Sequence, residues 1–123
     1  MDLNKKKWVR RLRRRRHIRK KLAGTAQRPR LTVYRSLKHI YCQAIDDHSG
    51  ETIVSASSAS PEIRAEIGSD GRNRKGAELV GVLLARKVRE KGIRAVVFDR
   101  NGYRFHGRVA ALAGAVRKEG IEV

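Results

Sequence analysis

Between Lys5 and Lys21, twelve of seventeen residues are Lys or Arg and none is acidic. Arg10-Arg11-Leu12-Arg13-Arg14-Arg15-Arg16 alone holds six arginines in seven positions. Such a segment repels itself and has little apolar surface to bury, so ordering it in isolation is unfavourable. Beside a dense polyanion the repulsion disappears. This stretch therefore restricts the chain to a basic arm carried by a folded body, and residues after Pro29 must supply that body.

Length and charge agree with this division. The chain has 123 residues, enough for one core. Its formal net charge of +18 is uneven: residues 1–30 carry fourteen basic side chains and one acidic one. That balance points to nucleic acid rather than to a small substrate. A membrane-surface helix needs a broad apolar face, and Trp8, Val9, Leu12, Ile18 and Leu22 form only a thin, broken stripe. No apolar run approaches a bilayer span, and no hydrophobic region follows the charges as in a secretory signal. Mitochondrial transit peptides share the Arg richness but are also Ser-rich, and this arm has no Ser. The lone Cys42 allows no intrachain disulfide; amid strand-forming residues it reads as a small core hydrophobe of a reducing compartment.

Taken in order, Asn4 to about Leu22 predicts a helix when bound, since Lys, Arg and Leu are good helix formers. Ala23 to Gln27 reads as a hinge, with Gly24 a helix stop. Leu31–Ser36, His39–Ile45 and Thr52–Ser57 predict three strands joined by short turns, an antiparallel meander. Ile40, Cys42 and Ala44 fall on one side of the second strand. Ser60-Pro61-Glu62 reads as the start of a short helix. A longer one runs from about Arg74 to Lys91, capped by Asn73 and stopped at Gly92, with Leu79, Val80, Leu83, Leu84 and Val88 near one face. Ile93–Phe98 predicts a buried strand, returned by a right-handed crossover into the same sheet. Asp99 to Gly102 is a turn, and Arg108 to Lys118 the last helix. The body, residues 28–123, is thus an α/β fold of β-β-β-α-β-α order with a mixed sheet, and residues 1–27 are the arm and hinge.

Enzyme chemistry finds little support. The carboxylates a two-metal nuclease would need are Asp46, Asp47, Glu51 and Asp99, and turn composition already accounts for most of them. His17, His39, His48 and His106 lack zinc-site spacing, and Gly68-Ser69-Asp70-Gly71 lacks the Lys-Ser/Thr ending of a phosphate loop. No metal or other cofactor is implied. The binding candidates are much stronger. In the arm they are Lys5, Lys6, Lys7, Arg10, Arg11, Arg13, Arg14, Arg15, Arg16, His17, Arg19, Lys20 and Lys21. Cations neutralise phosphates and release counterions. A second set lies in the body: Arg28, Arg30, Arg35, Lys38 and His39 near the first hairpin, and Arg100, Tyr103, Arg104, His106 and Arg108 before the last helix. Arg mixed with aromatic and His side chains suits phosphate contact with base or sugar stacking. Charge alone also admits a general DNA- or RNA-compacting protein.

Three separated motifs narrow this further. Arg14-Arg15-Arg16-His17-Ile18-Arg19-Lys20-Lys21 with Gly24-Thr25-Ala26-Gln27-Arg28-Pro29-Arg30-Leu31, then Arg35-Ser36 with Lys38-His39-Ile40-Tyr41 and Asp46-Asp47, then Phe98-Asp99-Arg100 with Gly102-Tyr103 and His106-Gly107-Arg108-Val109, occur one after another in order. Together they resemble the family of 5S ribosomal RNA-binding proteins numbered eighteen in the large-subunit series, in its bacterial form, over nearly the whole chain. The resemblance implies a structural protein of the central protuberance that binds 5S rRNA and touches 23S rRNA, and by position it implies Arg35, Ser36, Lys38, His39, Arg100, Tyr103, His106 and Arg108 as RNA contacts of the body. The other 5S-binding large-subunit ribosomal proteins would be its neighbours, and the ribosome in the cytoplasm its location. It also implies a ribonuclease H-like sheet without catalytic carboxylates. Leu37, Cys42 and Asn101 depart from the family pattern; Asn101 stands where Gly is common, and Asn tolerates the positive φ of a left-handed turn.

Overall fold

The structure, a computed structural model, describes residues 3–19, 23–36, 38–63, 74–103, 105 and 107–123. Its elements are α1 (Leu3–Arg19), β1 (Arg30–Arg35), β2 (Ile40–Asp46), β3 (Glu51–Ser57), α2 (Arg74–Glu90), β4 (Val97–Asp99) and α3 (Gly107–Lys118). After α1, the order β-β-β-α-β-α agrees with the sequence reading. The expected cap Asn73 and the continuation of α1 through Lys20–Leu22 lie outside the described residues, as does Leu37. The start at Ser60 yields a helical turn at 61–63, and residues 64–73 also lie outside. The Ser60 hydroxyl accepts the Ser57 N–H at 3.0 Å.

The four strands form one sheet ordered β3-β2-β1-β4. β1–β2 and β2–β3 are antiparallel, with Leu31 opposite Ala44 and Val33 opposite Cys42, while β4 lies parallel to β1. The mixed sheet results from connection length: tight turns join the first three strands, and a helix carries the chain back to the far edge. The first turn is closed by Ser36 N–H to His39 O at 2.9 Å, the second by Gly50 N–H to Asp46 O at 2.8 Å.

Alternation along the strands divides the sheet into two faces. Leu31, Val33, Ile40, Cys42 and Ala44 are fully buried beneath the helices. Val80, Leu84 and Val88 of α2 and Val109, Leu112 and Val116 of α3 complete the core. Leu79 and Leu83 only flank it; the centre of the α2 stripe runs instead through Gly76, Ala77, Gly81 and Ala85. Small residues win there because α3 approaches closely: a Cβ on Gly81 would lie 2.6 Å from the Leu112 carbonyl oxygen. The opposite face of the sheet carries Thr32, Tyr34, Tyr41 and Gln43 and has no helix of the α2–α3 layer over it.

The fourth strand corrects the sequence reading. The apolar run predicts a strand over Ile93–Phe98, but β4 spans only Val97–Asp99. Val96 N–H donates to Glu122 O at 2.8 Å and Glu122 N–H to Arg94 O at 2.9 Å, so the upstream residues pair with the chain's C-terminal segment. Ile93 and Val96 are still buried, which is why the apolar run reads as one strand. The hinge reading also changes at Gly24. This residue is buried, its N–H donates to Asp47 Oδ2 at 2.7 Å, and Asp47 N–H donates back to Gly24 O at 3.0 Å. A Cβ there would strike the Arg30 backbone nitrogen and the Ile45 carbonyl oxygen. A close approach to β1 and β2 therefore requires glycine at position 24.

Candidate nucleic-acid interface

α1 has seventeen residues, no acidic side chain in its first turn and almost no amphipathic bias. A helix of this kind, cationic on nearly every side, has an unfavourable dipole balance at its N-terminus. It is held to the body at a few specific points. Gly102 adopts φ +77°, and its missing Cβ lets the Arg11 carbonyl of α1 come against it. Arg14 Nε donates to Gly102 O at 2.8 Å. Arg11 Nη1 donates to the Tyr103 hydroxyl at 3.2 Å, and its guanidinium carbon lies 4.7 Å from the Tyr103 ring centre. Arg11 also lies 4.6 Å from the Trp8 ring centre, and Arg35 of β1 lies 4.4 Å from that of Tyr103. Cation–π stacking thus joins α1, β1 and the turn after β4.

This docking sorts the arm's cations. Lys5, Lys6, Lys7, Arg10, Arg13, Arg16 and His17 are exposed, whereas Arg11, Arg14 and Arg15 are half-buried. Lys20, Lys21, Arg104, His106 and the side chain of Arg19 lie outside the described residues. A cleft of about 600 Å³ opens beside α1, walled by Asn4, Lys7, Trp8, Arg10, Arg11, Arg14, Arg35 and Tyr103. A second, of about 770 Å³, shares Arg11, Arg35 and Tyr103 and continues past Ser36 and Lys38 to Arg108. The arm and the first hairpin, far apart in sequence, therefore form one continuous cationic surface. Arg28 is exposed and Arg100 half-buried.

Four of the expected contact residues, Arg30, Tyr103, Ser36 and His39, also make contacts within the body. Arg30 donates to Asp99 Oδ2 at 2.7 Å through Nη1, and to Asp47 through Nε and Nη2, each at 2.9 Å. Its side chain is 11% exposed and that of Asp99 is fully buried. The hydrogen bonds that Arg30 donates to Asp47 chiefly raise its pKa above the ordinary value; burial opposes the shift and Asp99 adds to it. Arg30 is thus a clamp between the β2–β3 turn and the end of β4, with its fork already occupied. Two of the four carboxylates weighed as nuclease ligands, Asp47 and Asp99, are its partners. Tyr103 is 6% exposed, its hydroxyl also accepts the Arg35 N–H at 3.2 Å, and two guanidinium groups lie against its ring. Nearly buried and with two cations already against its ring, Tyr103 positions Arg11 and Arg35. Ser36 Oγ accepts the His39 N–H at 3.2 Å and closes the hairpin turn. His39, half-buried, has Nδ1 2.9 Å from the Ser58 hydroxyl, which also accepts the Ile40 N–H at 3.1 Å. Lys38, at the turn's tip, is exposed.

The expected left-handed turn is present, with Asn101 at φ 54°. Asn101 also does more than tolerate the angle: it is buried, and its side-chain amide donates to Val33 O at 2.9 Å, tying the turn to β1. Sequence reasoning missed Tyr34, Trp8 and Gly102 as parts of the surface. Trp8 and Arg11 stand one helical turn apart, and i, i+3 spacing was the available signal.

Among the described residues, no group of three or more His, Cys, Asp or Glu side chains could hold a metal ion. No described helix is long and apolar enough to cross a membrane. The fold and surface define a small, strongly basic α/β protein whose cationic helix is latched beside a sheet. Residues 5–123 match the family model described as ribosomal L18 of archaea, bacteria, mitochondria and chloroplast, and the chain belongs to this family. It is similar to the large ribosomal subunit protein uL18 of Pelotomaculum thermopropionicum, 57% identical over 109 residues, covering 89% of this chain and 88% of the relative. The uL18 of Caldicellulosiruptor saccharolyticus is 54% identical over 112 residues, 91% of this chain and 90% of the relative. That of Myxococcus xanthus is 50% identical over 112 residues, 91% and 93% of the two chains.

Proposed function

We propose that this chain is a structural, non-enzymatic constituent of the large ribosomal subunit. It binds 5S rRNA and helps attach it to 23S rRNA in the central protuberance, with other 5S-binding large-subunit proteins as neighbours. The family match over residues 5–123 is the observation that carries this reading, and the cationic surface supplies its physical means. Residues 1–27 act as a basic arm and residues 28–123 as the body, with a ribonuclease H-like sheet. Lys5, Lys6, Lys7, Arg10, Arg13 and Arg16, exposed along α1, meet phosphates. Arg11, Arg14, Arg15 and Arg35 line the clefts where α1 meets the body, and Lys38 and Arg108 extend the surface. Arg28 and Arg100 contribute at its margin. The body reads a folded RNA shape, and the arm screens phosphates of neighbouring RNA segments that would otherwise repel.

Titration against 5S rRNA, with a scrambled RNA of equal length as competitor, tests this. Clear preference for 5S rRNA supports the reading; equal binding to both overturns shape recognition by the isolated protein. With about eight phosphate contacts, affinity falls by some three to five orders of magnitude between about 50 and about 200 mM salt. Deleting residues 1–22 flattens that dependence, and an unchanged salt slope would remove the arm from the phosphate-binding role.

A further inference from the structure

The geometry points to the uncovered face of the sheet as the seat of an unpaired RNA base, stacked on Tyr34 in the cleft between that face and Arg15 of α1. The inference rests on the RNA-binding reading above and names what this part of the surface takes.

The cleft holds about 780 Å³ and lies between Arg15 and the outward residues of β1 and β2, among them Thr32, Tyr34, Tyr41 and Gln43. Its floor is flat because alternate strand residues point to one face. Tyr34 is 51% exposed, so its ring is open to a ligand, unlike that of Tyr103. Tyr41 supports it from the neighbouring strand, with ring centres 5.9 Å apart and planes tilted by 40°. A half-exposed ring braced from one side is a ready stacking platform, and bases of any sequence present a π-face to it.

Polar groups around the ring suit a base edge. Gln43 is exposed beside it, and an amide both donates and accepts.

Charge selects the class of occupant. No carboxylate lines the cleft among the described residues, and Arg15 stands at its edge, continuous with the cationic surface of α1. An anionic backbone can therefore run along the arm while one base turns inward. Duplex RNA cannot use the platform in this way. Its bases are stacked within the helix and its major groove is too narrow for side chains, whereas bases of loops and bulges splay out onto aromatic rings.

The test uses the full chain, a short unpaired RNA of about twelve nucleotides and an RNA duplex of matched charge, at one salt concentration. Tyr34→Ala and Tyr34→Leu should weaken binding of the unpaired RNA by about five- to 150-fold, the loss expected for one stacked base. Tyr34→Phe keeps the ring and should retain wild-type affinity, and duplex binding should be unchanged in all three. Melting curves confirm that each variant is folded. An equal loss on duplex and unpaired RNA, or no loss on the unpaired RNA, overturns the inference and leaves this face to a protein neighbour. Intact 5S rRNA binding without unpaired-RNA binding by the wild type overturns this inference alone. Failure on both RNAs overturns the proposed function with it.

Discussion

Replacing Gly102 by Ala should separate the docking of α1 from the folding of the body. Two effects act at this position. Gly102 holds φ +77°, and an L side chain in that conformation costs about 1–2 kcal/mol. In addition, the new Cβ would fall on the Arg11 carbonyl oxygen and 2.9 Å from Arg11 Cγ, both on α1. Backbone carbonyls of a helix do not rotate away, so the helix must move as a whole. Moving it breaks the Arg14 hydrogen bond to Gly102 O, about 1.5–3 kcal/mol for a charged donor, and the Arg11 stacking on Tyr103, about 0.5–2 kcal/mol. Gly50→Ala is the internal control. Gly50 has nearly the same φ, +76°, but a Cβ there meets nothing within 4 Å, so only the conformational cost remains. Both variants should lower Tm by about 4–8 °C per kcal/mol, the scale for a body of this size. Only Gly102→Ala should change the surroundings of Trp8, the single tryptophan, as read by quenching and near-ultraviolet circular dichroism. It should also weaken RNA binding about tenfold or more, because an undocked arm must be ordered on binding. The reasoning is refuted if Gly102→Ala and Gly50→Ala melt alike and leave Trp8 and RNA affinity alike.

Two further outcomes concern groups within the body. Arg30→Lys keeps the charge but loses the fork that holds Asp47 and Asp99. It should lower stability by about 1.5–3 kcal/mol in urea unfolding while leaving the salt slope of RNA binding as it was; a reduced slope with unchanged stability would make Arg30 a phosphate contact. Cys42 is fully buried, and burial pushes its thiol well above the ordinary range. In the folded protein it should resist thiol reagents near pH 8 and react only as the chain unfolds; rapid labelling without unfolding would contradict its place in the core.

The sequence disclosed those features whose physical cause is local. Twelve cations in seventeen residues need no fold to imply a polyanion. The alternation of β2 placed Ile40, Cys42 and Ala44 on the buried face, and the left-handed turn that the family pattern implies at Asn101 is one that Asn tolerates. Apolar periodicity is less decisive where packing chooses among several candidates. It marked Leu79 and Leu83 as readily as Leu84, yet close approach of α3 gave the centre of the stripe to Gly81 and Ala85. Burial alone likewise joined Ile93 to β4, because a run that is buried against the C-terminal segment reads the same as one buried in a sheet.

The sign and strength of the cationic surface were thus written in the composition, while the division of labour among its residues was decided only by tertiary structure. Arg30 and Arg28 are indistinguishable along the chain, but only Arg30 faces a carboxylate 69 residues away. Tyr34 and Tyr103 both stand beside basic residues, yet one is open to solvent and the other is closed by Arg11, 92 residues earlier. Charge repulsion and strand alternation act between near neighbours and are visible in any short window. Hydrogen bonds and stacking reach only a few ångströms, so their partners are fixed when the sheet and helices bring distant segments together.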